Sequence, residues 1–366
     1  MGSKEGSRPV RMSNPRWRQS AALSVCATMM VLAGCGAGDT ETGASAEGDP
    51  QGPASCDGAT ITVGQLAGGQ ALTTGFPVTL ASELGLFKDQ GLTVETVDFT
   101  TGGDVINGLI SGELDVAHMG SEGIVAAAQG ADTIGIATLV DRSVFSLVGA
   151  PDSTWDSLEG ATVGTSGLTT IPTVITSELL RQAGYNVKDD FEFVTAGSTP
   201  QTFEALLAGQ VDLIPSSAPF TFMAEDKGYN VLGYVAPGGE PIDINATNIT
   251  STGSFTKEHP EVAVCYLRAM LNVSAWVHDS GNREEFVRLL EKLGELEPSV
   301  AERSAELYLD SDIFADYYLP TDLKFNPDSI SNAADAYVEI GAIEEPIPSD
   351  QFIDETLLDQ AMEGLE

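Results

Sequence analysis

Leu109-Ile110-Ser111-Gly112-Glu113-Leu114-Asp115-Val116 returns 97 residues later as Leu206-Leu207-Ala208-Gly209-Gln210-Val211-Asp212-Leu213. Each copy reads as the apolar end of a helix, a glycine, a short turn, an aspartate and the start of a buried strand. The glycine has a physical job, because the residue that closes a helix commonly sits in the left-handed region, where a Cβ is penalised. A small-residue loop follows each strand: Ala117-His118-Met119-Gly120-Ser121 in the first copy, Ile214-Pro215-Ser216-Ser217-Ala218-Pro219 in the second. The spacing is too long for a solenoid repeat. It predicts two α/β lobes built alike, each offering a loop at the carboxyl end of a strand. Two such lobes face each other across a cleft, where small ligands bind. Helix–glycine–strand joints are common in α/β proteins, so this reading leans on the rest of the chain.

Working outward, apolar runs bounded by turn residues predict strands near 60–66, 93–99, 116–119, 133–139, 144–148, 162–164, 191–195, 213–215 and 231–235. Helical patterns fall between them at 76–86, 104–111, 121–129, 171–183, 200–208 and 219–227. That alternation predicts parallel sheets with covering helices. Beyond 244–250 the pattern turns helical, at 259–277, 283–292, 300–308, 329–339 and 353–362, which fits a helical C-terminal third packed onto one lobe. The aromatic stretch Phe314–Pro320 between these helices has no evident role.

The N-terminus reads as an address. Arg11, Arg16 and Arg18 precede a mostly apolar stretch, 21–33, too short to span a bilayer and suited to a signal peptide. Leu32-Ala33-Gly34-Cys35 resembles a bacterial lipobox, in which cleavage before the cysteine exposes a thiol that takes diacylglycerol. An ordinary signal peptide that happens to contain a cysteine is the alternative. The resulting division is a signal peptide over 1–34, a Gly/Ala/Ser/Thr-rich flexible tether over 35–56, lobe I over 57–145, lobe II over 146–245, and a return to lobe I with C-terminal helices over 246–366.

Residues 1–34 hold five of the 17 Lys and Arg and one of the 54 Asp and Glu, so the processed chain carries 12 against 53, a net of −41. Such a field disfavours nucleic acid and anionic lipid. The acids are spread along the whole chain, as on a well-solvated surface. Of the four cysteines, Cys26 lies in the signal peptide and Cys35 is the lipidation candidate. Cys56 and Cys265 remain, an even pair in an exported protein, where a disulfide persists; two separate buried thiols are the alternative.

Several short motifs now line up. Glu83-Leu84-Gly85-Leu86-Phe87 is followed by Gly91-Leu92-Thr93-Val94. Asp156-Ser157-Leu158-Glu159-Gly160-Ala161-Thr162-Val163-Gly164 opens the second lobe, and Glu178-Leu179-Leu180 with Gly184-Tyr185 follows. In order and spacing these resemble periplasmic solute-binding proteins of ABC importers for nitrate, sulfonates, taurine and thiamine-pyrimidine precursors, over about residues 60 to 293. Ala161 departs from that pattern, which usually has Lys there. The resemblance implies an α/β, two-lobe periplasmic-binding-protein fold (type II), with parallel-rich sheets, flanking helices and a helical C-terminal third. It implies an ABC permease as partner, a small-molecule ligand and no cofactor.

In open parallel sheets ligands bind beyond the strand carboxyl ends, where helix N-termini present free N–H groups. Seven Gly/Ser/Thr-rich loops fall there, beginning with Gly68–Gln70. Their candidate ligand-binding residues are Thr73, Thr74, Thr101, Gly102, His118, Ser121, Arg142, Ser166, Gly167, Thr169, Thr170, Ser198, Ser216 and Ser217. Each hydroxyl also suits plain helix capping. Arg142 draws attention because bases are scarce before Arg181: its guanidinium suits a carboxylate or sulfonate, or simply an acidic neighbour. Phe76, Phe145 and Phe220 suit an apolar wall, or core. His118, His259 and His278 are the only histidines and are far apart; metalloprotease, P-loop and serine-hydrolase motifs are absent, so no catalytic or metal-binding residue is expected. The sequence therefore predicts a lipid-anchored, monomeric solute receptor on the extracytoplasmic face of the bacterial membrane. It takes a small organic anion or a pyrimidine-type precursor, without binding nucleic acid. The alternatives are a membrane-anchored ligand sensor and an enzyme on the same scaffold.

Overall fold

The computed structural model describes residues 56–66, 72–363 and 365, so the signal-peptide region, Cys35, all of the tether before Cys56, and Gly68–Gln70 lie outside the described residues. The described residues fall in one compact unit, Gln51–Glu366. Its first half runs β1 (Ala59–Leu66), α1 (Gly75–Glu83), α2 (Leu86–Asp89), β2 (Leu92–Phe99), α3 (Gly102–Ile110), β3 (Val116–Met119), α4 (Glu122–Ala128) and β4 (Ile134–Val140). The chain then crosses to β5 (Ser146–Gly149), β6 (Thr162–Thr165), α5 (Ile171–Gln182), α6 (Val187–Asp190), β7 (Glu192–Thr195), α7 (Thr199–Leu207), β8 (Leu213–Ser216), α8 (Phe220–Asp226) and β9 (Asn230–Gly233). It returns through β10 (Thr247–Ser251) and continues as α9 (Gly253–Glu258), α10 (Pro260–His278), α11 (Arg283–Gly294), α12 (Pro298–Leu309), α13 (Pro327–Glu339), α14 (Ser349–Phe352) and α15 (Thr356–Glu363).

Two five-stranded sheets result, ordered β2-β1-β3-β10-β4 and β7-β6-β8-β5-β9. The orders are one pattern written twice. In each, a first strand (β1 or β6) pairs in parallel with the two that follow it. In each, the fourth place goes to an antiparallel strand that has just crossed from the other sheet, β10 or β5.

The repeated octapeptide does the same work in both sheets. Gly112 and Gly209 take φ of 75° and 65° after α3 and α7, where only glycine is free of strain. The carboxylate of Asp115 accepts from the Thr62 N–H at 2.7 Å, and its own N–H donates to the Thr62 carbonyl at 3.0 Å. Asp212 brackets Thr162 identically, at 2.8 and 2.9 Å. Each aspartate thus locks its strand's register to the neighbouring first strand. The apolar residue before it needs room: a Cβ on Gly64 would stand 2.3 Å from Leu114, and one on Gly164 3.0 Å from Val211.

The core divides with the sheets. Ile61, Val63, Val116 and Ile249 of the first sheet pack with α10, α11, α12 and α15. The helical third does not all stay on that side: Ile330, Ala333, Ala334 and Tyr337 of α13 join Val163 and Leu213 of the second sheet, Val174 and Leu179 of α5, and Ile124 of α4. Cys56 and Cys265 are joined by a disulfide, tying the start of the described domain to the second turn of α10. The aromatic stretch proves structural. Tyr318 bridges to Val140, the Leu319 N–H donates to the Leu139 carbonyl at 2.6 Å, and the Tyr318 ring stacks on Tyr308 at 4.6 Å, so Phe314–Pro320 closes the β4 edge.

Candidate ligand-binding cleft

All six parallel strands end on one cavity of about 100 Å³. From the first sheet come Leu66 of β1 with Thr73 and Thr74, then Thr100, Thr101 and Gly102 beyond β2, and Gly120 and Glu122 beyond β3. From the second come Ser166, Ile171 and Pro172 beyond β6, Ser198, Thr199 and Pro200 beyond β7, and Ser217 and Phe220 beyond β8. Phe145 and Ala246-Thr247, on the two crossings, complete the wall. A larger groove of about 950 Å³ lies between α5, α6, α13 and residues 241–244, and of the loops beyond these strand ends it takes only Leu168. The chemistry-bearing loops are in the smaller cavity.

Of the candidate residues, Thr73, Thr74, Thr101, Gly102, Ser166, Ser198 and Ser217 line it. The hydroxyls cap as well as line. Thr101 Oγ1 accepts from the Asp104 N–H at 3.2 Å, and Ser198 forms a capping box with Gln201 at α7. Thr74, Gly102, Ile171–Pro172 and Thr199–Pro200 bring the N-terminal ends of α1, α3, α5 and α7 to this space, and helix N-termini favour acceptor groups.

The other candidates do not line the cavity. His118 is fully buried behind it. Its Nδ1 lies 3.0 Å from the Thr74 carbonyl, so Nδ1 carries the proton; Nε2 then accepts from the Tyr266 hydroxyl at 2.7 Å. Burial holds this imidazole neutral, lowering its pKa to about 4. Its service is indirect: it fixes Thr74, which does reach the cavity. Ser121 is buried and donates to the Asn245 carbonyl at 2.7 Å. Ser216 is buried in β8. Around Gly167, the hydroxyls of Thr165, Thr170 and Thr173 all donate to its carbonyl, shaping the turn into α5, while Thr169 is exposed.

Arg142 is held elsewhere. Its guanidinium lies 3.6 Å from the centre of the Tyr317 ring and donates to the Tyr317 hydroxyl at 2.6 Å. It makes no ion pair with neighbouring Asp141, which is instead the hub of the crossings. Asn245 and Ser329 donate to Asp141 Oδ1 at 3.0 and 2.7 Å, and the Asn326 N–H donates to Oδ2 at 2.9 Å. Burial raises the Asp141 pKa to about 6 against the pull of these donors.

The residue that sequence reasoning passed over is Glu122, one position beyond the loop it singled out. It opens α4 and, among the described residues, is the only ionisable side chain in the cavity wall. Burial pushes its carboxyl above the ordinary carboxylate range, and the N–H groups of Glu122 itself and of Ile171 pull partly back. Ile171 begins α5, so this carboxyl reaches from the first sheet's helices to the second's. Among the described residues, no group of three His, Cys, Asp or Glu is placed to hold a metal ion.

The comparisons agree with this architecture. A Bacillus subtilis (strain 168) protein described as "Putative binding protein YtlA" is 26% identical over 241 residues, covering 63% of this chain and 71% of that one. The periplasmic nitrate-binding protein NrtA of Synechocystis PCC 6803 superposes with a TM-score of 0.68 at 15% identity, over 86% of this chain and 90% of that one. The alkanesulfonate-binding protein SsuA of Xanthomonas axonopodis pv. citri, bound to MOPS, gives 0.65 at 16% identity, over 81% and 99%. The desulfurization enzyme DSZB gives 0.57 at 15% identity, over 84% and 100%, so the scaffold is not confined to binding proteins. The NMT1/THI5-like family matches residues 73–280, the span holding the second sheet, every strand of the first but β1, and every residue of the cavity wall but Leu66. With the periplasmic-binding-protein fold around that cavity, the chain belongs to the NMT1/THI5-like family.

Proposed function

We propose that this protein is the extracytoplasmic solute receptor of an ABC importer, held at the membrane by lipid on Cys35. Lobe I (57–145 with the return over 246–366) and lobe II (146–245) close on a small polar solute and present it to a permease. The observation that carries this reading is the convergence of six parallel strand ends from two sheets on one cavity. Contacts drawn from both sheets form together only when the lobes are shut, so a ligand that makes them favours closure. Of the two ligand classes read from the sequence, an organic anion such as a sulfonate or carboxylate would rely on helix N-termini alone, since among the described residues no Lys, Arg or His lines the cavity. A neutral pyrimidine-type solute asks for hydrogen bonds and a flat apolar wall, which the hydroxyls with Phe145 and Phe220 supply.

The test is mass spectrometry of the solute that co-purifies with the full chain, followed by calorimetry with that compound and cell fractionation of Cys35→Ser. One bound small molecule, returned unchanged, and release of the variant from the membrane are expected. Conversion of the compound would replace the receptor reading with an enzyme on the same scaffold. Retention of Cys35→Ser at the membrane would remove the lipid anchor.

A further inference from the structure

Glu122 is built into the cleft with care. Its carboxyl sits where two glycines leave space: a Cβ on Gly120 would stand 2.6 Å from Oε2, and one on Gly102 would stand 3.1 Å from Cδ. Neither glycine has a positive φ, so the space, not the backbone, calls for them. Oε2 is buried and accepts no hydrogen bond. A buried carboxylate oxygen without a donor is costly and asks for an explanation. The Thr74 hydroxyl, also in the wall, is the second buried polar atom there without a partner. Among the described residues, no cationic side chain lines the cavity to offset the carboxylate.

We infer that Glu122 is the specificity-determining group of this cavity, and that the solute presents an N–H donor to it, a cationic amine or amidine-type nitrogen. The inference rests on the receptor reading above and narrows its ligand class. The torsion about the last side-chain bond of a glutamate is soft and roughly two-fold, so either oxygen can be turned toward the cavity. A donor placed there forms a charge-assisted hydrogen bond and supplies the missing partner. An anion in the same cavity meets a like charge, and the N–H of Ile171 that would hold it already serves Glu122. Solutes with a donor face are selected and small anions rejected by one side chain.

Acetamidinium and acetate are nearly isosteric and opposite in charge, which makes them the probes. Thermal unfolding of the intact protein is followed with each at millimolar concentration, alongside nitrate and methanesulfonate. Acetamidinium is expected to raise the midpoint and the three anions to leave it unchanged. In Glu122→Gln the acetamidinium shift should fall at least tenfold in apparent affinity. The wild-type comparison stands alone if that variant does not fold. Stabilisation by acetate, nitrate or methanesulfonate but not acetamidinium overturns the inference, as does no response to any probe or an undiminished shift in Glu122→Gln. A co-purifying sulfonate that binds without turnover would leave the receptor reading standing and remove this one.

Discussion

Replacing His118 with asparagine should change how folding stability responds to acid, by an amount the structure fixes. The ring is buried and neutral with a pKa near 4, against 6.5 in an exposed imidazole. Between these values the unfolded chain takes up a proton that the folded chain refuses. The stability tied to the neutral ring is therefore complete above pH 6.5 and is lost as pH falls toward 4. The span of 6.5 − 4 units, at about 1.4 kcal/mol each, is worth about 3 kcal/mol. Asp141 carries the opposite sign: its pKa is raised from 3.8 to about 6, so acidification through that window adds about 3 kcal/mol. The two slopes nearly cancel in the wild type. In His118→Asn, the amide nitrogen keeps the donor to Thr74, the Tyr266 hydroxyl loses its acceptor at a pH-independent cost of about 1–3 kcal/mol, and the imidazole titration is gone. Urea unfolding of both proteins at steps from pH 7 to pH 4 reads the difference. On acidification the wild type should lose about 3 kcal/mol relative to the variant, closing or inverting the starting difference of about 1–3 kcal/mol. A constant gap, or an imidazole signal from His118 that titrates near 6.5 in the folded wild type, would refute the reasoning.

Three further outcomes follow from the contacts. Serine at both Cys56 and Cys265 should lower stability by up to about 5 kcal/mol, because the bridge closes 209 residues; calorimetry in the absence of reductant measures it, and an unchanged midpoint contradicts it. Arg142→Ala should leave affinity for the co-purifying solute within about threefold while costing about 1 kcal/mol of stability from the lost Tyr317 contacts. A tenfold loss of affinity would return Arg142 to the binding site. Gly135→Ala places a Cβ 2.7 Å from the Phe352 ring and 2.8 Å from Phe325, and should cost about 1–3 kcal/mol in a denaturant titration.

The strand ends were legible because the chain states the same joint twice and surrounds it with small residues that have few other uses. That reading located the loops carrying Thr73, Thr101, Ser166, Ser198 and Ser217. It could not separate hydroxyls that face the cavity from those that face a turn: Thr170 and Ser166 share one loop, and only the path into α5 distinguishes them. Glu122 was hidden by its ordinariness. An acid in the first turn of a helix is what the helix dipole favours anywhere, and nothing local says that Gly102, distant in sequence, makes room for it. Arg142 misled through scarcity. Its partner, Tyr317, is 175 residues away in a stretch whose purpose appears only when it covers β4. The antiparallel insertion of β10 was equally out of reach, since a strand's alternation does not name its neighbours.

The bond between Cys56 and Cys265 also decides how the domain bears a mechanical load. A pull on the chain before Cys56, whatever it is fastened to, would otherwise enter at β1, the strand that pairs with both β2 and β3. Hydrogen bonds stripped from one end yield one after another at low force. The cross-link diverts the pull into the second turn of α10, a largely buried helix of 19 residues gripped by α15, α1 and α2. There it must shear a packed interface all at once. The six strand ends around the cavity are thereby insulated from tension on the N-terminal segment.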